Sequence, residues 1–110
     1  MERQMQELID RAIEVVKGKI PSLTVQADMQ KAAQAVLNLT MAKAQYATLK
    51  PTDEEFDEEL AFVLGRVRGN LGATEMQQVT QAALHLMTAK AQSAAQEAKQ
   101  PAKATKTKND

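Results

Sequence analysis

At 110 residues the chain has room for one small domain, or for two short repeated units that lean on each other. It contains no cysteine, which excludes disulfides and thiolate-held zinc or iron–sulfur centres, and no run approaches the ~18 consecutive apolar residues of a membrane span. Basic and acidic side chains balance at 14 each, but unevenly: residues 1–98 carry 10 basic and 13 acidic groups, whereas residues 99–110 carry four lysines and one aspartate.

Nineteen alanines and twelve glutamines make up over a quarter of the chain. Both are good helix formers, and the strand formers are scattered, so an all-α fold is expected. The first helix is expected from about Glu2 to about Lys17, with an apolar stripe of Met5, Leu8, Ile9, Ala12, Ile13 and Val16. Gly18 and Pro21 punctuate its end.

Thr24 is the expected N-cap of a second helix, with a stripe of Val25, Met29, Ala33, Val36, Leu37, Thr40, Ala44 and Ala47. Pro51 breaks the chain, and Thr52 with Glu55 forms a capping box that opens the third helix. Phe56, Leu60, Val63, Leu64 and Val67 form the stripe of that helix, and Asp53, Glu54 and Glu55 suit the positive end of its first turn. A second box, Thr74 with Gln77, opens the fourth helix through Met76, Val79, Ala83, Leu84, Met87, Ala91, Ala94 and Ala98. The lysine-rich tail, 99–110, which beyond Pro101 has no apolar side chain larger than alanine, is expected to be disordered. The polar start MERQMQ does not read as a signal peptide.

The sequence resembles itself at an offset of 47 residues: DMQKAAQAVLNLTMAKAQ (28–45) aligns without gaps on EMQQVTQAALHLMTAKAQ (75–92), with ten of eighteen positions identical. Each unit, about 4–50 and about 51–97, reads as a short helix, a glycine-containing turn and a long helix. The expected architecture is therefore a single helical domain, 1–98, of two tandem helical hairpins in a four-helix arrangement. Long helices that outrun their short partners leave apolar surface, and a homodimer would cover it.

Among polar residues, Lys43 and Lys90 are related by the duplication and lie close to the apolar arc, either snorkelling or gripping an anionic group of a partner. The repeated glutamines Gln30, Gln34, Gln45, Gln77, Gln81 and Gln92 are expected on the solvent side. Asp57, Glu58 and Glu59 extend the acidic start of the third helix into a possible docking patch for a basic surface. His85 is the single histidine and reads as a surface residue. No catalytic constellation, metal site or cofactor cradle is apparent, so no enzyme is expected.

The function expected is that of a cytoplasmic, non-catalytic, protein-binding adaptor, chaperone-like or regulatory subunit acting as a homo-oligomer. Lys43, Lys90, Asp57, Glu58 and Glu59 are its candidate contacts. The alternative is a small nucleic-acid-associated regulator using Lys17, Lys19, Arg66 and Arg68 at the hairpin turns together with the lysine-rich tail.

Overall fold

The computed structural model describes residues 2–49 and 52–99, with side chains over 4–49 and 52–93. Pro51, the segment 100–110 and the side chains of Ala94 and Ala98 lie outside that description. Among the described residues there are four α-helices, α1 (Glu2–Lys19), α2 (Gln26–Thr48), α3 (Glu54–Gly65) and α4 (Ala73–Lys99), and a 3-10 turn, Ile20–Ser22, after α1. The all-α, four-helix expectation is met. Among the described residues no helix is long and apolar enough to cross a membrane.

Local chemistry explains the boundaries, and differs in places from the expected caps. α1 runs straight through Gly18, which shows no left-handed backbone, so glycine is not what stops it. The 3-10 turn stops it instead: Pro21 lacks an amide hydrogen, and the Ser22 hydroxyl donates to the Lys19 carbonyl at 2.7 Å. Thr24 is not a cap; α2 starts after Val25, whose side chain makes no capping bond. At α3 the cap is Asp53, whose Oδ1 accepts from the Phe56 amide at 2.7 Å, while the Thr52 hydroxyl donates to Asp57. At α4 the Gly72 amide donates to Glu75 Oε1 at 3.1 Å, leaving the Thr74 hydroxyl to accept from Lys31 Nζ at 2.8 Å.

The helices close into a ring in which α1 packs on α2 and α3, and α4 packs on α3 and, most extensively, on α2. Their core holds Met5, Ile9, Ala12 and Val16 of α1, Phe56, Leu60 and Leu64 of α3, and Met76, Ala83 and Met87 of α4, as the three- and four-residue spacing requires. α2 is the exception. Its buried residues are Ala32, Ala35, Asn38, Leu39, Ala42 and Tyr46, and the expected stripe is turned outward, with Val25, Met29 and Leu37 all well exposed. Small side chains let two helix backbones approach closely, so the alanine line packs on α4 although the opposite line carries the bulkier apolar groups.

The long helices α2 and α4 run in the same direction: Lys31 meets Thr74, and Asn38 Nδ2 donates to Thr80 Oγ1 at 3.2 Å. Those partners are 43 and 42 residues apart. The sequence offset is 47, so α4 has slid about one turn along α2 relative to the alignment of the two halves. Positions that match in sequence consequently differ in surroundings: Ala35, Asn38 and Ala42 are buried, whereas Ala82, His85 and Ala89 are exposed. Met29 and Thr40 are exposed, whereas Met76 and Met87 are buried. At about 100° per residue the two helices bury arcs roughly 130° apart on a shared wheel. The glutamines follow the solvent expectation in part: Gln30, Gln34, Gln81 and Gln92 are exposed, but Gln45 Oε1 is buried.

α2 exceeds α1 by only five residues, less than the sequence suggests, because α1 continues to Lys19. What α2 leaves uncovered is thus a flank along its length rather than a protruding end.

Candidate functional site

The first turn of α3 concentrates the acidic residues, and the structure separates them into two groups. Asp53 and Asp57 are committed internally. Asp57 is buried, accepting from the Tyr46 hydroxyl at 3.2 Å and from the Thr52 hydroxyl at 3.0 Å, so it ties the end of α2 to the start of α3 and is not available to a partner. Asp53 caps α3 and pairs with Lys90 Nζ at 3.0 Å. The Phe56 amide, and then Lys90, hold the Asp53 carboxyl below its ordinary value of 3.8.

A lowered folded-state pKa means that Asp53 stabilises the fold above the ordinary carboxylate value, and that this contribution is lost as pH falls through the lowered value. Asp53→Asn keeps an acceptor for the cap and removes the charge. The variant is expected to lose less melting temperature than the parent between about pH 6 and about pH 2.5, measured by circular dichroism. Equal losses would remove the role assigned to the charge.

The second group, Glu54, Glu55, Glu58 and Glu59, is exposed, and none of the four has an ion pair among the described residues. Helical spacing brings Glu55, Glu59 and Phe62 together on one side of α3, beside Glu58. With Val63 and Leu86 of α4 they line an open depression of about 430 Å³. Phe62 is 67% exposed, and the Arg66 guanidinium stands 5.7 Å from its ring centre. The result is a groove with an apolar floor and an anionic rim. Of its residues, the sequence reading reached Glu58 and Glu59 but not Phe62, which lies outside the buried stripe of α3 and is for that reason the informative aromatic.

Lys43 and Lys90 are both engaged within the chain, each reaching from a long helix to an acid on the short-helix side of its own hairpin. Lys43 Nζ pairs with Asp10 at 2.7 Å, and Lys90 also stands 5.8 Å from the Phe56 ring centre. Half-exposed pairs of this kind contribute little stability, typically about 0–1 kcal/mol, but they set where one helix sits against another.

The four basic turn residues are brought to one end of the bundle by the contact of Lys19 Nζ with the Gly69 carbonyl at 3.3 Å. There Lys17 pairs with Glu14 at 3.6 Å and Arg68 Nε donates to the Gly65 carbonyl at 3.2 Å. Among the described residues no three His, Asp or Glu side chains converge in a way that holds a metal ion. Comparison of the chain with protein-family models, with curated proteins and with solved structures returns no match.

Proposed function

We propose that this protein is a non-catalytic adaptor or regulatory subunit, chaperone-like in holding a segment of another protein, and that it acts in the cytoplasm as a homo-oligomer. On this reading its two hairpins derive from one duplicated unit. The segment it holds is a basic amphipathic helix seated in the α3–α4 groove. One observation carries this: an exposed phenylalanine, with Val63 and Leu86 beside it, is bordered by three carboxylates that have no ion pair among the described residues. An apolar helix face fits such a floor while its lysines or arginines meet the rim, the helix-in-groove mode of recognition.

The test is affinity capture from the native cell with the parent chain, Phe62→Ala, and Glu58→Lys combined with Glu59→Lys. All three positions are surface sites, so both variants are expected to stay folded. A partner held by the groove is expected to bind at least about tenfold less to each variant, and its binding to the parent to weaken with salt. A partner retained by both variants is not held there, and the groove reading falls.

The juxtaposition of the two basic turns favours a second reading, that of a nucleic-acid-associated regulator. A salt-dependent shift of labelled DNA or RNA that disappears when Lys17, Lys19, Arg66 and Arg68 are changed to Glu would establish it.

A further inference from the structure

We infer that residues 100–110 lie back along the acidic rim of the α3–α4 groove of their own chain, and there compete with the basic helix that the groove takes. This rests on the groove reading above and supplies the regulation of that site.

The first observation is where the segment begins. α3 and α4 run in opposite directions: Lys90 meets Asp53 at the cap of α3, and Leu86, one turn earlier in α4, lines the depression with Glu58, Glu59 and Phe62. α4 continues to Lys99, nine residues and about 14 Å past the level of Asp53. Pro101 follows two residues later; it has no amide hydrogen to donate and disfavours a helical conformation at Gln100, so the sequence favours a departure from the axis of α4 there.

The second observation is reach. From Lys99 the level of Leu86 lies about 20 Å back along α4. At about 3.3 Å per extended residue, Lys103 stands up to about 13 Å from Lys99, Lys106 about 23 Å and Lys108 about 30 Å. Lys103 can therefore return to the first turn of α3, and Lys106 and Lys108 can reach Glu58 and Glu59 with slack.

The third observation is charge. Glu55, Glu58 and Glu59 line the groove, with Glu54 exposed beside them, and none has an ion pair among the described residues. Residues 1–98 carry three more acidic than basic groups, and residues 99–110 carry four lysines against one aspartate, three more basic than acidic. The other end of α3 repels such a segment, since Lys17, Lys19, Arg66 and Arg68 gather there. Attached by a short link, the lysines meet the rim at an effective concentration of about millimolar, so a contact too weak to form between separate molecules forms within one.

Between these lysines stand only alanine and threonine, which neutralise nothing and fill little. The segment thus covers the rim and leaves the floor of Phe62, Val63 and Leu86 open. A partner that brings both lysines and an apolar face displaces it; a merely basic one does not.

The experiment is nuclear magnetic resonance on the full chain with a nitroxide on Asn109→Cys, a unique site because the chain has no cysteine. In about 10 mM salt, where screening extends to about 30 Å, the amide signals of Glu55, Glu58, Glu59 and Phe62 are expected to lose at least about half their intensity. They are expected to recover in about 1 M salt, where it falls to about 3 Å, and in Glu58→Lys combined with Glu59→Lys. Full intensity at low salt, or a loss that persists in the charge-reversed chain, overturns the docking. So does an equal loss when the nitroxide is carried by a second, isotopically silent copy, which assigns the rim to a neighbour's segment.

Competition is read by fluorescence anisotropy with a synthetic helix of leucine and lysine as the probe. Lys103→Gln, Lys106→Gln and Lys108→Gln together are expected to tighten its binding at least about threefold at low salt. Lys17→Gln, Lys19→Gln and Arg68→Gln remove the same charge from the far end of α3 and are expected to change it clearly less. Equal effects overturn the competition. Signal loss at the rim without any partner captured through Phe62 removes the adaptor reading and leaves the segment docked; a captured partner without signal loss does the reverse.

Discussion

Enlarging Ala35 to Leu is expected to destabilise the protein by about 1–3 kcal/mol, whereas the same change at Ala82 is expected to stay within about 0.5 kcal/mol of the parent. The two alanines occupy matching positions when residues 28–45 are aligned on 75–92, so sequence gives no reason to treat them differently. Ala35 is fully buried in the line that packs α2 on α4, and added methylenes there must push the two helices apart or enter strained rotamers. Ala82 faces outward. Thermal melts give the comparison directly, since each kcal/mol moves the midpoint by roughly 4–8 °C in a domain of about this size. Similar losses at both sites would show that the halves pack equivalently and that α2 is not turned as described.

The second large effect is expected at the junction of α2 with α3. Asp57→Ala removes the acceptor used by the buried Tyr46 hydroxyl and by Thr52, and is expected to cost about 2–3 kcal/mol. Tyr46→Phe takes away one donor from a buried carboxylate and is expected to destabilise as well. The pair Tyr46→Phe with Asp57→Leu removes both polar ends at once, and is expected to cost clearly less than the two single losses combined. Denaturant titration of the four proteins measures this coupling. Strict additivity would mean that the hydroxyl and the carboxylate do not act as a unit.

Much of this fold is legible in the residues themselves. In α1 and α3 the buried side chains are mostly bulky apolar ones, and in α4 Met76 and Met87 mark the inward face they share with Ala83 and Thr80, so counting Ile, Leu, Met and Phe at helical spacing finds those faces. In α2 that rule fails for a physical reason. The helix packs on α4 through Ala32, Ala35 and Ala42, and the line is interrupted by Asn38, whose polarity hides it. Asn38 is buried with both ends of its amide satisfied: its Nδ2 donates to Thr80 Oγ1, on another helix 42 residues away, and its Oδ1 accepts from Gln34 Nε2 at 3.1 Å.

The caps misled in a similar way. Thr52 stands just before the α3 cap and Thr74 already lies in the first turn of α4, and each hydroxyl bonds elsewhere, to Asp57 or to Lys31. The groove was half visible: its acids stand together in the sequence, while its floor joins α3 to Leu86 of α4, and only folding brings these together. Lys43 and Lys90 are visible in the sequence as matching positions, but their anionic partners Asp10 and Asp53 are set by the way the helices pack.

The contact of Tyr46 with Asp57 also makes the molecule its own optical reporter. The chain has no tryptophan and a single tyrosine, so all of its tyrosine fluorescence originates at the buried ring where α2 meets α3. A carboxylate that accepts a phenol proton's hydrogen bond quenches that emission, and separating the two restores it. Opening of this one junction is therefore readable without any label, apart from the helical signal that averages over the whole chain.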